Sequence, residues 1–341
     1  MKEIKTLAIL VVLVAVLYWM IEPFAHTRLS PHVDPANYDF AAEDITLATT
    51  NVEKAQKALE TAQNSGDEGM IASATRTLQD AKNQQDKVTL FWNEINKINL
   101  SKGDATRGAD TFMNAGCVAC HGVSKVGMDA PMDATSASEA YGVNPPDLSS
   151  AGYLYSPKFL AALIKDPVMA MKLDHKFGDE NPHPMPAFYG LGDDINQEIA
   201  DIVAYLRSIA PSAMENAQVF EDSCQRCHDV KYAGRKVTSD MEKVAAYMGS
   251  TPPDLSMMIR SKLPDYLHEF INDTQKKLPG TSMPRVGLTQ EAENQVVAYL
   301  EEVGDSKKDE REKTALYIML YFAILSVFAG LWKSKVWSKL H

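Results

Sequence analysis

All four cysteines of the chain lie in two short segments with the same spacing, Cys117-Val118-Ala119-Cys120-His121 and Cys224-Gln225-Arg226-Cys227-His228. Two thiols that are two residues apart can both add to the vinyl groups of one porphyrin, and the imidazole of the next residue can reach the iron. A single pair of this kind also suits a zinc site or a redox dithiol. Because histidine directly follows both pairs, the sequence predicts two covalently bound haem c groups, with His121 and His228 as proximal ligands.

The stretch from about Ser101 to Val303 is an internal duplication. The motif Pro145-Pro146-Asp147-Leu148-Ser149 returns 107 positions later as Pro252-Pro253-Asp254-Leu255-Ser256, the same offset that separates the two cysteine segments (252 − 145 and 224 − 117). Each half then reaches a Met-Pro pair and closes with an Ala-Tyr-Leu motif on a predicted helix. The repeat predicts one haem domain over residues 101–211 and a second over residues 212–304.

The predicted distal iron ligands are Met185 and Met283, the methionines of the two Met-Pro pairs. The proline that follows each one stiffens its loop. Four other methionines compete with the first of them: Met128, Met132, Met169 and Met171. Ligation by a second histidine is the alternative chemistry, and three histidines are available for it: His175, His183 and His268. None of the histidines outside the two motifs has the spacing of a metal site.

The order of a short helix, Cys-x-x-Cys-His, a proline-rich loop, a Met-Pro loop and a closing aromatic helix resembles the class I cytochrome c fold, written twice. That resemblance implies an all-α fold with two such domains in tandem. An iron held by histidine and methionine has no open coordination position, and this ligation raises its reduction potential. We therefore expect electron transfer as the function of both domains and no catalytic residue.

Both ends of the chain are apolar. No charged residue occurs from Thr314 to Trp332, a length close to the roughly 20 residues that cross a bilayer. The lysines beyond it place the tail in the cytoplasm by the positive-inside rule. For residues 1–24 we expect a second, retained anchor, because no A-x-A-like cleavage site follows; a signal peptide is the alternative. The haem domains would then lie in the periplasm of a two-pass protein of the bacterial cytoplasmic membrane, the compartment where haem c is attached.

Residues 44–99 are polar and alanine-rich, with no proline and two glycines, which favours helix. Two apolar stripes at heptad spacing flank the break at 64–67. Their members are Val52, Ala55, Leu59 and Ala62 in the first and Ile71, Ala74, Leu78 and Ala81 in the second. The pattern predicts an antiparallel helical hairpin with a narrow seam, which would dock a partner subunit or hold the haem domains above the membrane.

The second half also resembles the cytochrome c1 subunit of cytochrome bc1 complexes, and with its two haems the chain looks like the dihaem form found in some bacteria. The residues that carry this likeness are the motif starting at Pro252, the basic residues Arg260 and Lys262 after it, and the C-terminal apolar stretch. In that family the motif lines the haem and a basic residue meets a propionate. The resemblance therefore implies haem contacts for Pro145 and Pro252 and for Arg260 or Lys262.

As a cytochrome c1, the chain would take electrons from a Rieske iron–sulfur protein beside cytochrome b, in a membrane complex that we expect to be dimeric. It would pass them to a periplasmic cytochrome c or a terminal oxidase. The formal charge of −11 argues against nucleic acid as a partner. Two alternatives stay open, the dihaem subunit of a C-type haem–copper oxidase and a dihaem peroxidase, although a peroxidase needs one open iron site.

Overall fold

The computed structural model of the protein describes residues 2–21, 24 and 36–340. Over this part of the chain the regular structure is helical, with three isolated β-bridges and no β-strand. The expected all-α class is confirmed. Residues 1–36 form one compact unit and residues 37–341 another, so the two are described separately.

The N-terminal unit contains helix α1 (Lys2–Val16), which continues into one π-helical turn, Leu17–Ile21. The side chains described along α1 are apolar and exposed from Leu7 to Val16. Residues 1, 22 and 23 of the predicted anchor lie outside the described residues. A membrane span over 1–24 stays a prediction.

The second unit begins with helices α2 (Phe40–Ser65) and α3 (Glu68–Asn96), which we call the helix pair. Gly66 ends α2 with φ of 71°, and the Asp67 carboxylate accepts the Met70 N–H at the start of α3. Near the other end, Gln85 Nε2 donates to Thr49 Oγ1 over 3.0 Å. All eight residues of the two stripes are buried or half-buried.

The end of the helix pair opposite the turn at Gly66, which we call its open end, is part of the core of the first half. Phe40, Trp92 and Ile95 are buried in one hydrophobic cluster with Phe112 and Phe159. The Phe40 and Phe159 rings meet edge to face with centroids 5.2 Å apart. At about 25 cal/mol per Å² of apolar surface, burying such rings outweighs the cost of fixing their rotamers. The helix pair therefore packs on the haem domains rather than standing apart from them.

The two halves of the duplication contain corresponding helices. Those of the first half are α4 (Ala105–Asn114), α5 (Ala134–Tyr141), α6 (Ala151–Leu154), α7 (Pro157–Lys165), α8 (Pro167–Ala170) and α9 (Ile195–Ile209). Those of the second are α10 (Asn216–Cys224), α11 (Met241–Met248), α12 (Met258–Ser261), α13 (Pro264–Asn272), α14 (Thr274–Lys277) and α15 (Gln290–Gly304). Short 3-10 turns complete the set at Leu100–Lys102, Cys117–Ala119, Ser124–Val126 and Lys231–Ala233.

In each half the first helix packs against the last one. Phe112 of α4 contacts Tyr205 of α9, and Phe220 of α10 contacts Tyr299 of α15, with ring centroids 5.5 and 4.9 Å apart. In the first half the helices approach so closely that a Cβ on Gly108 would lie 1.9 Å from the backbone oxygen of Asp201. Each half has its own hydrophobic cluster built around this crossing.

Helix α16 (Lys308–Leu340) follows α15 after three residues. Among the residues that the structure describes, one helix is long and apolar enough to cross a membrane, Lys308–Lys339. Its apolar side chains are exposed, so none of them serves the core of the second unit. This agrees with a C-terminal membrane anchor.

Candidate haem sites

Each cysteine segment folds as one tight turn at the end of a helix. His121 N–H donates to Cys117 O over 3.0 Å, and His228 N–H donates to Cys224 O over 3.1 Å. The turn holds both thiols and the imidazole of one motif on a short arc of backbone. This is the arrangement that attachment of one porphyrin requires.

The ring of each predicted proximal histidine is held by a proline carbonyl. His121 Nδ1 lies 2.9 Å from Pro146 O, and His228 Nδ1 lies 2.8 Å from Pro253 O. A carbonyl oxygen only accepts hydrogen bonds, so Nδ1 carries the proton in both rings. The lone pair of each Nε2 is then free to bind iron, and the hydrogen bond fixes the orientation of the ring.

The rest of the repeated motif holds the loop beside the histidine. Asp147 Oδ2 accepts the Ser124 N–H over 2.9 Å, and the corresponding Asp254 Oδ1 accepts the Lys231 N–H over 3.4 Å. In both halves the motif serine also accepts a loop N–H, in each case over 3.1 Å. The identical offset of 107 positions thus reflects the same hydrogen-bond network in both halves. In each half the proline carbonyl must lie in the same position relative to its histidine.

Burial shifts the pKa values of the histidines and of the thiols in the two motifs. Burial lowers the pKa of His121 and of His228, so both imidazoles are neutral, as an iron ligand must be. Burial raises the pKa of the Cys117 thiol, and it raises the pKa of Cys224 to about 11. The two thiols and one oriented imidazole of each half therefore fit a haem c group.

The loops with the predicted distal ligands are held differently. Met283 O accepts from Thr274 Oγ1 over 2.9 Å, and the neighbouring Ser282 Oγ donates to Met248 O over 2.5 Å. In the first half, Met185 N–H and O lie 3.1 and 3.0 Å from the ring nitrogen Nδ1 of His183, two residues earlier. Both methionines are half-buried. Their ligation of iron stays a prediction.

Of the residues that the cytochrome c1 resemblance placed at the haem, Pro145 and Pro252 are half-buried at the start of the two motifs. Arg260 is exposed near Asp305, whose pKa is lowered first by Arg311 and further by Arg260. Lys262 is exposed, with Nζ 5.2 Å from the centre of the Tyr266 ring. Their contact with a propionate stays a prediction.

Haem contacts of Pro145 and Pro252, the first prolines of the two pairs, stay a prediction. The structure adds a role for the second prolines, Pro146 and Pro253, whose carbonyl groups hold the histidines. The sequence feature that points to this role is the recurrence of the whole motif at the same offset as the cysteine segments. Among the alternative histidine ligands, His268 Nδ1 lies 2.7 Å from Glu293 Oε1 and is engaged there. The structure describes no group of three or more His, Cys, Asp or Glu side chains that would hold a bare metal ion.

The two attachment sites face one interface between the halves. Arg226, inside the second cysteine motif, donates from Nη1 to Asn144 O over 3.2 Å, just before the proline pair that holds His121. Cys120 Sγ lies 3.7 Å from Tyr141 Oη. Within the second half, the pKa of Tyr247 is raised by burial and then by the nearby Cys227. The Arg226 contact therefore links the second cysteine motif to the loop that holds His121.

Comparison with known proteins agrees with this duplication. The Cytochrome c family matches the chain twice, over residues 105–210 and 213–304. No curated protein matches the chain. A solved structure titled hyperthermophilic respiratory Complex III shares 21% identity over 37% of this chain and 75% of its own, with a TM-score of 0.29, which is too low to support an argument. Because the two family matches cover more than half of the sequence, the chain belongs to the cytochrome c family, whose domains carry covalently bound haem c.

Proposed function

We propose that the chain is a membrane-anchored dihaem cytochrome, the cytochrome c1 subunit of a quinol–cytochrome c oxidoreductase. In this role it takes electrons from a Rieske iron–sulfur protein and passes them to a periplasmic cytochrome c or a terminal oxidase. Cytochrome b completes the complex. The chain itself is not catalytic alone, since none of its residues is assigned to a quinone site.

The observation that carries the proposal is the junction between the second haem site and helix α16. Gly304 ends α15 so close to the motif that a Cβ there would lie 2.5 Å from Ser256 O. Helix α16 starts four residues later, and its uncharged stretch begins at Thr314. At 1.5 Å per helical residue, about 9 Å separates Lys308 from that stretch. The second site thus adjoins the anchor, where an electron donor at the membrane surface can approach.

The roles of the residues follow from the two sites. The four thiols would hold the two haem groups through thioether bonds, and His121, His228, Met185 and Met283 would ligate the irons. When bound, the haem iron supplies one-electron transfer between its ferric and ferrous states. The proline carbonyls keep each proximal ring fixed, so little reorganisation accompanies the change of charge. Arg260 or Lys262 would pair with a propionate.

The contacts between the halves support transfer from one site to the other. Gly142, next to Tyr141, lies directly against Tyr247, whose ring centroid is 5.5 Å from that of Phe177. Helix α5 meets α11 here, and these are corresponding helices of the repeat. Asn144 N–H donates to Ser239 Oγ over 3.0 Å in the same region. A packed interface of this kind keeps the distance between the two haem groups constant.

We further propose a two-pass topology with anchors at 1–24 and 314–332, domains at 101–211 and 212–304, and a hairpin over 44–99. Lys333, Lys335 and Lys339 support a cytoplasmic C-terminus. The haem domains would face the periplasm of a bacterial cytoplasmic membrane.

The proposal is tested by the subunits that co-purify with the chain from membranes in a mild detergent. We expect cytochrome b and a Rieske iron–sulfur protein in stoichiometric amounts. A haem–copper oxidase core without these two subunits would contradict the cytochrome c1 role and favour the C-type oxidase. Turnover of hydrogen peroxide by the purified chain would favour the dihaem peroxidase instead. A variant truncated after Lys313 serves as the control, since loss of α16 should release the partners.

A further inference from the structure

Four charged side chains from three distant parts of the chain meet in the interior: Asp44 of α2, Lys172 of the first half, and Asp273 and Arg285 of the second. We call them the buried charge cluster. Arg285 donates through Nη1 and Nη2 to the two carboxylate oxygens of Asp44, over 2.8 and 2.5 Å. Lys172 Nζ lies 3.0 Å from Asp44 Oδ1 and 2.9 Å from Asp273 Oδ1.

The cluster is closed to solvent and balanced in charge. The Arg285 side chain is 0% exposed, Asp273 2%, Asp44 6% and Lys172 17%. Trp92 Nε1 donates to Asp44 Oδ2 over 3.0 Å, and the Phe40 ring covers the guanidinium at 4.8 Å. Burying a charge is costly unless a partner of opposite sign is held in good geometry. Two carboxylates and two cations meet that condition here.

The cluster is connected to both ends of the loop that contains Met283. Arg285 follows Met283 by two residues, its Nε donates to Asn272 O over 2.9 Å, and its backbone N–H donates to Met171 O over 3.0 Å. On the other side, Met283 O accepts from Thr274, the residue after Asp273. A short loop whose flanks are both tied to buried charges has little freedom to move.

Among the described residues of the first half, no buried charge cluster is tied to the loop that contains Met185. The residue two positions after Met185 is Ala187, which is exposed. The hydrogen bonds at Met185 run to His183, within the loop itself. The two halves therefore differ in how the predicted methionine ligand is held, although their cysteine motifs are held in the same way. The first half is a natural internal reference for any effect of the cluster.

We propose that Asp44 and Arg285 are positioning residues for Met283, so that the helix pair fixes the distal ligand of the second haem. The proposal rests on ligation of iron by Met283, as stated under the proposed function, and it requires no partner protein. It assigns the helix pair a role in setting a reduction potential, in place of the docking or spacer roles that the sequence indicates. Asp44 lies 241 residues before Arg285, and it acts on the haem through that arginine.

The test is a redox titration and an absorption spectrum of the purified, haem-loaded variant Asp44→Asn. We expect the potential of the second haem to fall, with loss of the part of the far-red methionine–iron band that Met283→Ala also removes. The first haem should keep its potential. Loss of a negative charge by itself would raise a haem potential, because the ferric state carries the additional positive charge. The sign of the shift therefore separates loss of ligand positioning from simple electrostatics.

Glu221→Gln is the matched control, since Glu221 is exposed, pairs with the half-buried Arg235 and lies near the second cysteine motif, so the substitution removes one negative charge there. In Glu221→Gln the reduction potential of the second haem should stay the same or rise. If Asp44→Asn fails to fold, the double variant Asp44→Leu/Arg285→Met leaves no unpaired charge and should still lower the second potential alone. An intact band and an unlowered potential in a folded variant would overturn the proposal, as would equal changes in both haems. An unchanged band in Met283→Ala would instead refute the ligand assignment.

Discussion

Substituting Gly142 by alanine should loosen the interface between the two haem domains. Gly142 has φ of 82°, and a Cβ on it would lie 2.4 Å from Cγ of Tyr247. The repeat supplies a control, because Gly249 occupies the corresponding position 107 residues later, with φ of 74° and nothing within 4 Å of its Cβ position. Both glycines end a helix with positive φ, so both substitutions strain the backbone, with ψ of −39° at Gly142 and 5° at Gly249. Only the alanine at 142 also creates a clash.

The expected magnitudes follow from these two contributions. A non-glycine residue with positive φ costs about 1–2 kcal/mol. Forcing a side chain into a well-packed interface costs about 1–3 kcal/mol more. Gly249→Ala should therefore lower the free energy of unfolding by about 1–2 kcal/mol, and Gly142→Ala by about 2–5 kcal/mol. Tyr247 cannot relieve the clash freely, because Phe177 packs against its ring.

The assay is equilibrium unfolding of the haem-loaded protein in guanidinium chloride, followed by the absorption of both haems. A Cβ on Gly142 would also lie 2.5 Å from Cβ of Tyr247, so the clash is removed only by glycine at 247. A double variant Gly142→Ala/Tyr247→Gly, compared with Tyr247→Gly alone, removes the clash and keeps the backbone strain. In that background the alanine at 142 should cost about 1–3 kcal/mol less than it costs in the wild-type background. If Gly142→Ala is no more destabilising than Gly249→Ala in the wild-type background, the domains do not pack as described and the argument fails.

Three further predictions concern ligation, acid stability and topology. Met185→Ala and Met283→Ala should each remove part of the far-red charge-transfer band and lower one potential; an unchanged spectrum would contradict the assignment. Burial alone would raise the pKa of Asp201, but hydrogen bonds from Arg107, the Asp104 N–H and Gln197 lower it overall. Its stabilisation is therefore present above the unfolded pKa of about 4 and lost as the pH falls through the folded value. The free energy of unfolding should fall less steeply towards acid pH in Asp201→Asn than in the wild type. The same slope in both proteins would contradict this. A reporter that works only in the cytoplasm should be active at His341; a mature N-terminus at Ala25 or later would refute the first anchor.

The sequence was most informative where chemistry requires a local spacing. Attachment of one porphyrin needs Cys-x-x-Cys-His, and a second copy with the same 107-residue offset to Pro252 indicates a duplicated domain. The tandem cytochrome c domains were therefore predictable from the sequence, and the family matches confirm them. The contact of Pro146 with His121 was not, because every residue has a carbonyl group and its direction depends on the folded loop.

Contacts between distant parts of the chain also could not be predicted from the sequence. The apolar stripes of the helix pair indicate that α2 and α3 contact each other, but they contain no information on what the open end packs against. Asp44 looks like an ordinary first-turn residue of a helix, and Arg285 like an ordinary loop cation. Only the folded chain brings them together, and a pair of this separation leaves no periodic pattern in the sequence.

The most direct test of the electron-transfer role is quinol-driven reduction of the two haems, in membranes and in the purified chain. The account predicts that the purified chain stays oxidised with quinol, because it is proposed to depend on a partner for quinol oxidation. In membranes both haems should become reduced, and an inhibitor that keeps the iron–sulfur protein at the quinol-oxidation site should block this reduction. Reduction that is insensitive to the inhibitor, together with oxygen consumption that depends on these haems, would contradict the cytochrome c1 role.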